Sequence, residues 1–175
     1  LPFYYVQLSS LDRPSWPWFR DSQRRMLNEI SDIGMAVSSD HGDSLDVHPT
    51  CKQPVGERLA RWALNKTYLK DIVPSGPLFR GAANVRGGKV FLSFDYGKGM
   101  RSSDGKPLQC FEVAEYEGIY YPATAEVVGE QVKVYSKEVR NPRYVRYGWQ
   151  PFTRANLVNR AGLPASTFRA EFAVK

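Results

Sequence analysis

The period of the apolar residues changes once along this chain, and that change limits the possible folds more than any other feature. Up to about residue 70, strand-length apolar runs alternate with segments whose apolar residues recur at helical spacing. The break is "DIVPSGPLFRG" (71–81), with two prolines and two glycines. Beyond it the runs have period 2, with turn residues at intervals of roughly 8–12 positions, the cadence of an antiparallel sandwich.

In the first region, "FYYVQL" (3–8) reads as a strand. From Trp18 onward, Phe19, Met26, Leu27 and Ile30 predict an amphipathic helix with a basic outer face, ended by Gly34. "MAVSSD" (35–40) predicts a second strand. "QPVGERLARWALNKTYL" then places Val55, Leu59, Trp62, Ala63 and Tyr68 at helical spacing, with Pro54 suited to a first turn. The order strand, helix, strand, loop, helix is that of a parallel α/β layer, whose ligand sites lie beyond the carboxyl ends of the strands. The loop at 40–49 takes that place. In the second region Val90, Leu92 and Phe94 alternate, "VVGEQVKVYS" reads as a hairpin around Gly129-Glu130, and the tail ends in a short strand. Two regions are therefore expected, roughly 1–72 and 77–175.

Composition excludes several classes. Hydrophobic residues at 42% and charged residues at 24% are ordinary for a folded globular chain. The formal net charge is +6, from 24 Lys and Arg against 18 Asp and Glu, but the basic residues are scattered, so no nucleic-acid surface is expected. Cys51 and Cys110 form no disulfide framework and have no metal-ligand spacing. No apolar run approaches the ~20 residues of a membrane span. The first residue is Leu, inside a run that reads as a buried strand, so a processed product or an excised fragment is expected.

The loop "SSDHGDSLDVHP" gathers Asp40, His41, Asp43, Asp46 and His48. A serine hydrolase needs a base near neutrality, which imidazole supplies, and an acid to hold the ring and stabilise the imidazolium. Asp46 and His48, two apart on an irregular stretch, suit that pairing. A solvated acidic turn with aspartates capping backbone groups has the same appearance. Zinc ligation is the third reading, yet His41 and His48 lack the i,i+4 spacing of a helical site and no cysteine pair supports them. Among other polar and aromatic candidates, Gln7 and Gln23 could bond a substrate or be plain amides. Trp16 and Trp18 of "SWPWF" could stack on a sugar or pack the helix entrance, and Trp149 reads as core or interface.

Taken together with "FYYVQL", the stretch "GMAVSSDHGDSLDVHPTCKQPVGERLARWAL" resembles the sialate O-acetylesterase family. Its marks are an apolar "GMAV" strand, an aspartate-rich loop, "D-x-H-P", and "K-Q-x-x-G-x-R-L-A" opening a helix. "VPSGPLF", "VRYGW" and "NLVNRAGLPASTFR" extend the likeness over nearly the whole chain in order. The resemblance implies a flavodoxin-like SGNH hydrolase layer followed by a β-sandwich. It implies a carboxylic ester hydrolase removing O-acetyl groups from sialic acid or related sugars, with His48 as catalytic base and no metal or organic cofactor. Leu45 stands three residues before His48, where SGNH hydrolases commonly place the acid, so Asp46 is the leading candidate and Asp43 the second. A secreted or periplasmic setting follows, lysosomal in a eukaryote.

One departure is large. The family's nucleophile sits in an early "G-Q-S-N" block, and no serine here lies in such a setting or in Gly-x-Ser-x-Gly. The expected partner is therefore an N-terminal portion of the same enzyme that carries the serine and the oxyanion donors. An acetylxylan-type polysaccharide esterase and a non-catalytic sugar-binding or interaction module are the alternatives.

Overall fold

A computed structural model describes residues 1–172, and for residues 82–86 the backbone only. The last three positions of the expected second region thus lie outside the described residues. Strand β1 (Phe3–Val6) pairs in parallel with β2 (Ile33–Ala36), with Phe3 opposite Ile33 and Val6 opposite Ala36. Helix α1 (Trp16–Glu29) connects them, and α2 (Gln53–Trp62) follows, ending in one wide π-type turn over Ala63–Thr67.

The two edges of this pair are treated differently. On the outer edge of β2, Trp62 Nε1 donates to Met35 O at 2.8 Å and Arg58 Nη1 to Val37 O at 2.7 Å. Side chains of α2 therefore stand in for a neighbouring strand. Trp62 lies flat enough on β2 that a Cβ at Gly34 would sit 2.4 Å from the indole, so only glycine fits there. Gly34 is consequently a strand residue, not the end of α1. The helix stops at Glu29, Ile30 is extended, and Asp32 takes the left-handed turn conformation (φ 57°). The second strand also starts earlier and ends sooner than "MAVSSD" suggested, because Ser39–His41 coil into a single helical turn.

The face that α1 buries differs from the expectation. Pro17, Arg20, Asp21 and Arg24 are buried and Leu27 packs inward as expected, whereas Trp18, Phe19, Met26 and Ile30 are exposed. The reason is a set of polar partners that helical spacing does not reveal. Arg20 is fully buried and its guanidinium donates to the carbonyls of Gly148 and Pro151 at 2.9 Å and of Gln150 at 2.6 Å. Asp21 accepts from Arg24 Nε and Arg25 Nε, each at 2.9 Å. Tyr68, expected on the apolar face of the second helix, is 66% exposed, since α2 has ended before it.

Beyond residue 77 the described chain is β-structure. Its strands are β3 (Leu78–Arg86), β4 (Lys89–Asp95), β5 (Arg101–Ser102), β6 (Phe111–Ala114), β7 (Tyr121–Pro122), β8 (Thr124–Val128), β9 (Gln131–Tyr135), β10 (Tyr144–Tyr147), β11 (Leu157–Val158) and β12 (Phe168–Glu171). One antiparallel sheet runs β3-β4-β9-β8 and the other β12-β10-β6-β7, while β5 and β11 pair separately. Alternation decides the inward faces: Val90, Leu92, Val132 and Val134 from the first sheet meet Phe111, Val113, Val145 and Phe168 from the second. Phe79 stacks on Phe168 with centroids 4.3 Å apart. The β8–β9 hairpin turns at Gly129-Glu130, where Gly129 supplies the positive φ (61°) that a two-residue turn demands.

A second, smaller cluster joins Met35, Val37 and Trp62 to Leu78, with Tyr96 packed against it. At the junction of α1 with the sandwich, Trp149 is buried and meets Trp18 edge-on at 5.1 Å, and the Arg169 guanidinium lies 4.5 Å over the Trp18 ring. Both cysteines are free thiols. Among the described residues no helix is long and apolar enough to cross a membrane.

Candidate active site

The candidate loop leaves the carboxyl end of β2, and its root is tied down before any exposed residue is reached. Ser38 Oγ donates to Gln7 O at 2.6 Å, and Ser10 Oγ donates to Ser39 O at 2.6 Å. Arg58, reaching back from α2, clamps Asp40 with two bonds of 2.7 and 2.6 Å. His41 Nε2 lies 3.4 Å from Asp40 Oδ2 and 3.5 Å from Arg58 Nη2. Asp40 and His41 therefore belong to this anchor, apart from the second histidine.

Past the anchor the loop organises itself with aspartates. Asp43 Oδ1 accepts from the backbone N–H of Leu45 at 2.8 Å and of Asp46 at 3.2 Å, a turn in which the carboxylate replaces a backbone acceptor. Asp43 is thereby committed to the backbone. Asp46 repeats the device one step on: its Oδ1 accepts the His48 backbone N–H at 2.8 Å and lies 3.2 Å from His48 Nδ1. One oxygen thus fixes both the backbone and the ring of the same residue. With Nδ1–H donating to Asp46, the lone pair on Nε2 is left unengaged. That is the nitrogen a general base uses.

The His48 backbone N–H first, then its imidazole, with the charge of Lys52 adding to them, hold the Asp46 carboxyl below the usual carboxylate range. The side chains of His48 and Asp46 are 85% and 61% exposed. So exposed a pair contributes little to stability, and its significance is geometric. Beside the loop an open cleft of about 340 Å³ runs along the carboxyl end of β1, lined by Val6, Leu8, Val47, Pro49 and Lys52 among others. Among the described residues no serine hydroxyl bonds His48, and no group of three or more His, Cys, Asp or Glu could hold a metal ion.

The remaining candidates resolve into structural parts. Gln7 is fully buried and donates to Arg20 O and Ser166 Oγ, both at 2.8 Å. Gln23 Oε1 accepts from Leu8 N at 2.8 Å and its Nε2 donates to Val6 O at 3.3 Å, capping the open edge of β1. Trp16 and Trp18 lie at the helix entrance, Trp18 half-exposed against Trp149. Two contributors had no assigned part in the sequence: Arg58, which anchors the loop, and Ser10, which meets its root. Arg58 lies 18 positions from Asp40, beyond any local signal.

No protein-family model matches the sequence, and no curated protein matches it. Among solved structures, a carbohydrate acetylesterase from Xanthomonas citri matches 99% of this chain with a TM-score of 0.90 and 39% sequence identity. Over that span the two share one fold. The chain spans 42% of that protein's length, so more than half of the Xanthomonas protein has no counterpart in it.

Proposed function

We propose that this chain is the C-terminal portion of a carbohydrate O-acetylesterase of the SGNH type, acting on sialic acid or a related acetylated sugar. The observation that carries the reading is the contact of Asp46 Oδ1 with His48 Nδ1, on a loop beyond the carboxyl ends of two parallel strands. A carboxylate below the ring and an unengaged Nε2 above it is the arrangement a base needs. The similarity to a carbohydrate acetylesterase supports the same reaction class.

On this reading residues 1–72 complete the catalytic layer, and 77–175 form a sandwich that buttresses it. The nucleophile serine and the oxyanion donors come from the upstream part of the same enzyme, exported to the cell exterior, the periplasm or a lysosome. The exposed face of α1 with Phe19, Met26 and Ile30, and the edge of β1 at which Gln23 bonds Val6 O and Leu8 N, are the surfaces this reading offers to that part.

In the completed site His48 Nε2 removes the serine proton as the hydroxyl oxygen attacks the acetyl carbonyl. The oxyanion donors of the upstream part hold the negative oxygen of the tetrahedral intermediate. The imidazolium, steadied by Asp46, returns the proton to the departing sugar hydroxyl. Water attacks the acetyl-serine with the same base assisting, and acetate leaves.

The test is acetate release by the full-length protein from O-acetylated sialic acid and from acetylated xylan. His48→Ala is expected to lower kcat by about 10²-fold or more, since general-base catalysis contributes roughly 10²–10⁴-fold. Turnover within about tenfold of wild type sinks the assignment of the base. Preference for xylan over the sialic acid replaces the substrate but keeps the mechanism.

A further inference from the structure

We infer that the sandwich sets the position of the Asp46–His48 loop through Ser10, a positioning residue for the reaction proposed above, on which this inference rests. The Ser10 side chain is fully buried, and its hydroxyl has a different part of the chain on each side. It donates to Ser39 O at the root of the loop, at 2.6 Å, and accepts the backbone N–H of Thr153 from the sandwich at 3.3 Å.

The neighbours of Ser10 repeat this division. Leu11 N donates to Pro151 O at 3.3 Å on the sandwich side, and Asp12 N donates to Ser44 O at 3.1 Å on the loop side. Gly42 is pressed against Ser10 so closely that a methyl group there would sit 2.1 Å from the Ser10 carbonyl oxygen. From beneath, Arg20 binds Gly148, Gln150 and Pro151, the turn that carries Thr153. Residues 9–12 thus form one layer between the turn at 148–153 and the loop root at 39–44.

Beyond that root the loop has little else to hold it. Leu45, Asp46 and His48 are exposed and their hydrogen bonds are made within the loop. Such a segment takes its place from where it is anchored. A shift at the root is carried to the imidazole, and a displacement of about 1 Å in a reacting group can lower turnover by about 10²-fold.

The experiment uses the full-length enzyme carrying Ser10→Ala, set against Tyr147→Phe. Tyr147 is an equally buried hydroxyl; it accepts Leu157 N at 2.8 Å within the sandwich and makes no hydrogen bond to the loop. Ser10→Ala is expected to lower kcat by roughly tenfold or more, with KM within about threefold, and to speed amide hydrogen exchange over residues 43–48. Tyr147→Phe is expected to lose comparable thermal stability while kcat stays within about twofold and exchange in the loop is unchanged. Equal losses of kcat in the two variants, or none in Ser10→Ala while His48→Ala abolishes turnover, overturn the inference. Should Ser10→Ala fail to fold, Gly42→Ala, which pushes the loop away with the hydroxyl in place, is read by the same measurements. Should His48→Ala keep full turnover, the base assignment is what fails, and loop exchange alone then decides: rates unchanged by Ser10→Ala overturn the inference.

Discussion

Arg20 Nη2 donates to the carbonyl oxygen of Gly148 at 2.9 Å, a cation buried in the junction between α1 and the sandwich with carbonyls for partners. Desolvation lowers its pKa to about 10, so it stays charged at neutral pH while withdrawn from water. That arrangement is stable because Gln150 and Pro151 present two more carbonyls; Pro151 O is shared with Leu11 N and Gly148 O with the Thr167 hydroxyl, while Gln150 O takes its hydrogen bond from Arg20.

Arg20→Met keeps the aliphatic packing and removes every one of those donors. Gln150 O is then left without a donor while Gly148 and Pro151 keep Thr167 Oγ1 and Leu11 N, so the expected loss is about 1–3 kcal/mol, read as the shift in urea midpoint at constant m-value. Arg20→Lys, with one compact ammonium in place of a fork, recovers part of it. A loss below about 0.5 kcal/mol, the range of an ordinary surface substitution, removes the junction's dependence on this residue.

Two glycines near α2 predict opposite outcomes for the same change. At Gly34 a Cβ would lie 2.4 Å from the Trp62 indole, whose Nε1 is committed to Met35 O, so the ring has no free direction in which to retreat. Gly34→Ala is therefore expected to destabilise by about 1–3 kcal/mol or more. At Gly56, inside α2, a Cβ meets nothing within 4 Å. Gly56→Ala is expected to stabilise the chain by roughly 0.5–1 kcal/mol, through a less flexible unfolded state and better helix propensity. Denaturation of the two variants side by side checks both signs.

The sandwich was legible because its central strands β4, β9 and β10 alternate in and out and turn residues separate the runs. Val90, Leu92 and Phe94 face inward as their spacing states, and Gly129 marks its hairpin. The face of α1 was not legible. Its apolar residues have helical spacing, yet the buried side is chosen by Arg20 and by carbonyls about 130 positions away that local sequence does not display. The same distance hid the loop's anchors. Asp46 and His48 could be paired on sight because the contact spans two residues. The Arg58–Asp40 clamp spans 18 and the Ser10–Thr153 bond 143, so neither leaves a trace in the loop's own sequence. Gln7 illustrates the converse: a polar residue just past a strand looked available to a ligand, and the fold spends its Nε2 on Ser166 and the Arg20 carbonyl while its Oε1 has no partner among the described residues.

The pairing with His48 separates Asp46 from Asp43 as the candidate acid. Asp46 is held below the usual carboxylate range by the His48 N–H, so it remains an anion throughout the range in which an imidazole titrates. Titration of Asp46 therefore adds nothing to the pH dependence of the full-length protein near neutrality. Asp46→Asn removes the negative charge 3.2 Å from Nδ1, and with it the stabilisation of the imidazolium. Maximal kcat is expected to fall by about 10²-fold, because the amide no longer holds the ring with Nε2 as the basic nitrogen. Asp43→Asn, at a carboxylate that accepts the backbone N–H groups of Leu45 and Asp46, is expected to leave kcat within about tenfold of wild type. Steady-state kinetics of the two variants separates them, and a loss of kcat in Asp43→Asn but not in Asp46→Asn assigns the acid to the other aspartate.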